Sequence, residues 1–193
     1  MTYYIFRNIL KLLFKIFFRL NIVGAEGPLI VAPNHTSFLD PLIAGFAVPR
    51  ELNFMARSSL FRNKIFGKML TSVNAFSLKR EGADLGAMRL AIDKLCHGKA
   101  VLIFPEGTRS KDGSFGTPRA GIGLLAASSG ATILPCYIKG SRESLPKGAI
   151  FPRLKKITVY VGKPLRINKS SSGKEYYMQI AENTMAEISA LRK

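Results

Sequence analysis

The sequence predicts an α/β fold: a single domain with a mixed, largely parallel sheet flanked by helices, preceded by an N-terminal amphipathic membrane-interface helix. Three observations predict it. Short apolar, partly β-branched runs at Pro28–Ala32, Ala100–Phe104 and Thr132–Ile138 alternate with longer stretches of helical spacing. Those runs are apolar at nearly every position, as expected of strands buried on both faces by helices. A chain of 193 residues, 47% hydrophobic, is long enough for one sizeable core and short for two.

The elements follow in order. Met1 to Leu20 is rich in Phe, Ile and Leu, but Arg7, Lys11, Lys15 and Arg19 interrupt every apolar run. A secretory signal needs an unbroken apolar stretch and a small-residue cleavage site, and neither is evident. On a helix the four cations drift by about 40° per step and form one broad stripe, leaving Phe6, Ile9, Leu10, Leu13, Phe17 and Leu20 on other faces. Residues 1–22 therefore read as a helix lying along a bilayer, each base contributing on the order of 1 kcal/mol near an anionic surface. The plainer alternative is an amphipathic helix packed on its own domain. Residues 23–193 are then the folded domain.

Within it, the first strand leads to a helix from about Ser37 to Val48 and a strand over Leu52–Ala56. Arg57–Val73 reads as helical with a break near Gly67, and Ala75–Leu78 as a short strand. Over Gly82–Gly98, Leu85, Met88, Ile92 and Leu95 keep helical spacing and Gly98 supplies the stop. After the Ala100–Phe104 strand come a helix over Gly121–Ser129, the Thr132–Ile138 strand and a strand over Ile157–Val161. A last helix carries Tyr177, Ile180, Thr184, Ile188 and Leu191 on one face. Ala120 to Ile138 holds no charge and is long enough to suggest a membrane span, but Gly121, Gly123, Ser128-Ser129-Gly130 and Pro135 divide it into helix and strand. Ser110–Pro118 and Ser141–Pro152, rich in Gly, Ser, Pro and charge, are expected to be flexible.

Lys plus Arg exceed Asp plus Glu by 29 minus 12, giving +17, so an anionic partner is expected. A nucleic acid and an anionic membrane would both satisfy that charge. No zinc finger or aromatic RNA-binding signature supports the first. Cys96 and Cys136 have no paired spacing and no His/Cys cluster suited to zinc, which points to a reducing compartment and a metal-free mechanism. Both read as core residues, Cys96 on the apolar side of its helix and Cys136 in a buried strand.

Chemistry concentrates in Asn34-His35-Thr36-Ser37-Phe38-Leu39-Asp40, just past the first strand. If Ser37 caps the following helix, Asp40 takes its third position, where an acid turns back toward the entering chain that carries His35. A carboxylate there would hold one imidazole nitrogen protonated and leave the other to accept a proton, as activation of a hydroxyl nucleophile requires. On one regular helix, residues five apart diverge by about 140°, so His35 must precede the helix for the two to meet. The alternative is that Asp40 is only a cap, with Pro41 as first helical residue, and His35 an ordinary loop histidine.

Asn34-His35 to Asp40 resembles the histidine, four residues, aspartate signature of the glycerophospholipid acyltransferases, the family that includes 1-acyl-glycerol-3-phosphate acyltransferase. Phe104-Pro105-Glu106-Gly107-Thr108-Arg109-Ser110 is similar to that family's second hallmark. Between them, Ala75-Phe76-Ser77-Leu78-Lys79-Arg80 resembles its segment ending in a basic residue, and Ile133-Leu134-Pro135-Cys136 its proline-containing strand. Order and spacing agree over roughly Gly27 to Leu165. The resemblance implies that an acyl group passes from acyl-CoA or acyl-carrier protein, with no bound cofactor, to the free hydroxyl of 1-acyl-glycerol-3-phosphate on the cytoplasmic face of a membrane, giving phosphatidic acid; the alternative acceptor is another lysophospholipid or a lyso-aminolipid. It also implies His35 as general base, Asp40 as its orienting acid, and Arg80, Glu106, Gly107, Thr108 and Arg109 around the acceptor. Each of the three segments bearing these residues follows an expected strand, and in an α/β sheet ligands gather beyond the carboxyl ends of strands. The rival from another class is a non-enzymatic basic protein binding lipid or nucleic acid, which would be indifferent to His35.

Overall fold

The fold is seen in a computed structural model that describes residues 27–192, apart from 79–83, 147, 150, 152, 169 and 170. The expected helix over 1–22, and Arg80, lie outside the described residues. Six strands, β1 (Leu29–Pro33), β2 (Leu52–Arg57), β3 (Ala75–Leu78), β4 (Ala100–Leu102), β5 (Thr132–Lys139) and β6 (Thr158–Val161), form one sheet in the order β3-β2-β4-β1-β5-β6. All neighbours are parallel except β5 and β6. The helices are α1 (Asp40–Ala47), α2 (Lys64–Ser72), α3 (Leu85–Cys96), α4 (Gly121–Ser129), α5 (Ser141–Ser144) and α6 (Lys174–Ala190).

The central strand shows why the apolar runs are continuous. Every residue of β1 is buried. Ile30 and Ala32 point to one side of the sheet, where Val101, Ile133, Ala91 and Leu95 of α3, Leu125 of α4 and Ile188 of α6 meet them. Leu29 and Val31 point to the other, against Ile43, Ala44 and Ala47 of α1. Successive side chains leave a strand on opposite faces, so burial on both sides demands an apolar residue at each position, each fully buried Leu or Ile contributing ~1.5–3 kcal/mol. The charge-free window at 120–138 divides into α4 and β5. No helix among the described residues is long and apolar enough to cross a membrane.

Four details differ from the sequence expectations. α1 begins at Asp40 rather than near Ser37, because the Ser37 hydroxyl accepts the Leu39 N–H at 3.2 Å and donates to the Leu145 carbonyl at 2.8 Å instead of capping a helix. The helical stretch after β2 breaks at Asn63, not Gly67: a 3₁₀ turn covers Ser58–Phe61, and the Asn63 side chain caps α2 by accepting the N–H groups of Ile65 and Phe66. Arg57 ends β2 and precedes any helix. The seam of α3 is Ala87, Ala91 and Leu95, four apart, which puts Cys96 about 100° off the seam and exposed, while Cys136 is buried as expected.

The two loops expected to be flexible are partly built. In Ser110–Pro118, Asp112 Oδ1 accepts bonds from the hydroxyls of Ser110 and Ser114 and from the Ser114 N–H. These hydrogen bonds hold the Asp112 carboxyl at a pKa of about 2. Ser141–Ser144 forms the short helix α5, and parts of the rest of that loop lie outside the described residues.

Candidate active site

β1 and β4 are adjacent and parallel, with Val31 opposite Leu102, so the chains leaving their carboxyl ends start side by side. Asn34 fastens the first of these chains. Its side-chain oxygen accepts the Ile138 N–H at 2.6 Å and its nitrogen donates to the Ile138 carbonyl at 3.2 Å, a two-point bond to β5. Thr36 is held by the chain just past the same strand, its hydroxyl 3.1 Å from that of Ser141.

Between these anchors His35 and Asp40 meet. The imidazole Nδ1 lies 3.0 Å from Asp40 Oδ2, and the same oxygen accepts the N–H groups of Thr36 at 2.6 Å and Ser37 at 2.7 Å. Asp40 is wholly buried. An oxygen already accepting two backbone N–H groups is committed as an acceptor, so Nδ1 carries the proton and donates. Among the described residues this is the ring's hydrogen bond, which leaves Nε2 for a proton from outside the protein. The ring stacks on Phe104 at a centroid distance of 3.7 Å and an angle of 14°, so its plane is fixed from the β4 side as well.

The second chain grips the backbone of the first. Glu106, 3% exposed, accepts the His35 N–H at 2.9 Å through one oxygen and the Gly116 N–H at 2.8 Å through the other. The Ser110 N–H donates to the His35 carbonyl at 2.8 Å. Both backbone groups of His35 are thus tied to the segment after β4. Burial pushes the Glu106 carboxyl above its usual value, opposed by these two N–H groups. Sequence resemblance implies acceptor recognition for Glu106; in the structure its oxygens face inward and bind backbone.

The remaining site residues lie outward of this brace. Gly107 has φ +65°, a left-handed backbone that favours glycine, while the atoms a Cβ would meet belong to the exposed, flexible side chain of Arg119. Thr108 is exposed. Arg109 is half-buried, its guanidinium carbon 4.4 Å from the centre of the Phe38 ring. Its pKa is lowered, first by burial and then by the positive charge of Arg57, while Asp40 opposes both. Arg57, at the carboxyl end of β2, therefore lies close enough for its charge to act on Arg109. Sequence reasoning missed it by assigning it to a helix, though the rule that singled out Arg80, a base following a parallel strand, applies equally. Arg80 lies outside the described residues. No three His, Cys, Asp or Glu side chains gather as a metal site among the described residues.

Residues 15–139, well over half of the chain, match the protein family described as Acyltransferase. The chloroplastic 1-acyl-sn-glycerol-3-phosphate acyltransferase LPAT1 of Arabidopsis thaliana is 29% identical over 141 residues, 69% of this chain and 39% of that protein. The 1-acyl-sn-glycerol-3-phosphate acyltransferase of Bacillus subtilis is 28% identical over 146 residues, 73% of this chain and 68% of that one. Among solved structures, the 1-acyl-sn-glycerophosphate (LPA) acyltransferase PlsC of Thermotoga maritima superposes with a TM-score of 0.67 at 28% identity, over 86% of this chain and 67% of that chain. The chain spans 39% of the length of the Arabidopsis relative, so the likeness is to part of that protein.

Proposed function

The chain belongs to the Acyltransferase family, and from that membership we propose that it transfers a fatty acyl group from acyl-CoA or acyl-carrier protein to a lysophospholipid hydroxyl. The acceptor is 1-acyl-glycerol-3-phosphate and the product phosphatidic acid. The observation that carries this reading is the imidazole of His35 held through Nδ1 on a buried carboxylate, beside Arg109. Nε2 takes the proton of the acceptor hydroxyl as its oxygen bonds to the thioester carbonyl carbon. The carbon–sulfur bond breaks, the proton passes from Nε2 to the departing sulfur, and the free thiol leaves. Asp40 stabilises the imidazolium formed in between.

No acyl-enzyme is needed. The sequence has no Gly-X-Ser-X-Gly elbow, and Ser37, the serine beside the histidine, is buried with its hydroxyl donated to the Leu145 carbonyl. Arg109 grips the acceptor phosphate, since a guanidinium fork matches two phosphate oxygens, and the positive charge of Arg57 is close enough to act on the same guanidinium. Glu106 acts on the reaction by holding His35 rather than by touching the acceptor. A lipid acceptor, the basic surface and the stretch over 1–22 together favour work at the cytoplasmic face of an anionic membrane.

Purified protein offered a panel of lyso-acceptors with acyl-CoA or acyl-carrier protein tests the reading. Wild type should prefer the phosphate-bearing acceptor, and His35→Ala should lower kcat by about 10²–10⁴-fold, the range for loss of a general base. Arg109→Ala should erase the preference for phosphate over a lyso-aminolipid. Retained turnover in the histidine variant removes the mechanism. An undiminished preference in the arginine variant removes Arg109 from the phosphate site, and a wild type that prefers the lyso-aminolipid removes the acceptor.

A further inference from the structure

We propose that α2 is a lipid-contacting element of the folded domain, laid against an anionic bilayer surface by Ile65, Phe66 and Met69 and held there by Arg62, Lys64 and Lys68. A helix at the surface of a soluble protein ordinarily turns its apolar stripe inward. α2 does the reverse. Its one buried residue is Gly67, seated where a Cβ would be 3.1 Å from the Phe61 carbonyl oxygen. Ile65 and Met69 lie about 160° round the helix from Gly67, and Ile65, Phe66 and Met69 are 84%, 37% and 42% exposed.

Charge selects the occupant. Between Glu51 and Glu81 the sequence contains no acid, while Arg57, Arg62, Lys64 and Lys68 all fall in that interval. Among the described residues no carboxylate lies within ion-pair distance of Arg62, Lys64 or Lys68. An outward apolar stripe flanked by unpaired bases is the pattern of a helix lying in a lipid headgroup layer. A protein partner with an apolar patch would leave the bases unanswered; a layer of anionic headgroups over acyl chains answers both.

Position supports the same occupant. β1-α1-β2 and β2-α2-β3 both connect parallel strands and run the same way across the sheet, so right-handed crossovers put α1 and α2 on one side of it. On that side Phe38 and Leu42, at the start of α1, are exposed as well, and Phe38 lies under Arg109. α2 is thus on the same side of the sheet as Phe38, the residue that Arg109 covers.

The inference is independent of the acyl-transfer reading, because vesicle contact is read without turnover and none of His35, Asp40 or Arg109 takes part. The test uses the full chain with Cys96→Ser, leaving the buried Cys136, whose thiol burial pushes up to about 12, unreactive. An environment-sensitive nitrobenzoxadiazole label is placed at Ile65→Cys, or as control at Glu187→Cys on the exposed side of α6. Equimolar phosphatidylcholine–phosphatidylglycerol vesicles should raise emission at 65 roughly twofold or more and leave 187 unchanged, and pure phosphatidylcholine should leave both unchanged. Lys64→Glu with Lys68→Glu should weaken binding to the anionic vesicles roughly fivefold per base. A dark label at 65, with or without vesicle binding by the chain, overturns the proposal. So does an equal rise on neutral vesicles, or a rise with protein concentration alone, which would assign the face to a second copy.

Discussion

Replacing Asp40 with Asn separates the placing of the imidazole from its charging. All three hydrogen bonds to the Asp40 side chain end on Oδ2, from Thr36 N–H, Ser37 N–H and His35 Nδ1. Oδ1 is buried with no protein partner among the described residues. An asparagine can therefore put its carbonyl oxygen at the Oδ2 position and its amide nitrogen at the Oδ1 position, and keep every donor. What disappears is the negative charge.

When His35 takes the acceptor's proton, two unit charges face each other about 4 Å apart, and at an effective dielectric near 20 they attract by about 4 kcal/mol. At ~1.36 kcal/mol per decade that is about 10³-fold in kcat. We predict that loss for Asp40→Asn, with KM for the acceptor within about threefold and stability within ~2 kcal/mol of wild type, since the bonds survive in neutral form. Asp40→Ala should instead leave two backbone N–H groups buried without an acceptor, at ~1–3 kcal/mol each, and unfold at clearly lower urea. The assay is steady-state acyl transfer with chromatographic separation of the product, beside urea titration of each variant. An asparagine variant keeping more than about a tenth of wild-type kcat would refute the reasoning, because it would reduce Asp40 to a loop brace.

Three further outcomes are expected. In Gly123→Ala the new Cβ would lie 2.0 Å from the Tyr177 carbonyl oxygen and 2.6 Å from its Cα; both atoms are backbone, so α4 and α6 must part, and a urea midpoint lowered by ~3 kcal/mol or more should follow. The raised pKa of Glu106 means that the folded protein binds that proton more tightly than the unfolded chain, so this residue's contribution to stability falls as pH rises from 4.5 through the folded value. Glu106→Gln should flatten that part of the stability–pH curve measured by urea midpoints, and an unchanged slope counts against it. A thiol reagent should modify one cysteine in the native protein, the exposed Cys96, and the buried Cys136 only after unfolding; two fast equivalents would contradict the packing of β5.

The strands were legible because a strand buried on both faces cannot afford polar residues, so its boundaries coincide with those of an apolar run, as at Leu29–Pro33. The two loops of the candidate site were legible through their likeness to two family segments; His35 and Asp40 alone read equally as a loop histidine and a helix cap, and Asp40 does accept two local N–H groups. What escaped were directions. Of Leu85, Met88, Ile92 and Leu95, which keep helical spacing, Leu95 is buried and Met88 and Ile92 pack half-buried on the core, but Leu85 is exposed, and Ala87 and Ala91 join Leu95 as the buried residues of α3. Glu106 carries the same side chain whether it faces an acceptor or a backbone amide. Only the positions of the His35 and Gly116 N–H groups decide, and they are set by chain 71 residues earlier and ten residues later.

Strand order is the property that no segment encodes, and the site depends on it. The crossover from β1 through α1 to β2 skips one position in the sheet, and β4 later fills it. That insertion sets the segment after β4 against the segment after β1, so that Glu106 and Ser110 can bind both backbone groups of His35 and Phe104 can lie on its ring. On the other flank β5 supplies Ile138 to Asn34. The bond from His35 to Asp40 is local, five residues apart, but the groups that fix the His35 backbone and stack on its ring come from the segment after β4, and Asn34 beside it is held by β5, neither strand adjacent to β1 in sequence. The short motif therefore specifies which groups react. The parallel sheet, by seating β1 between two later strands, specifies where they point.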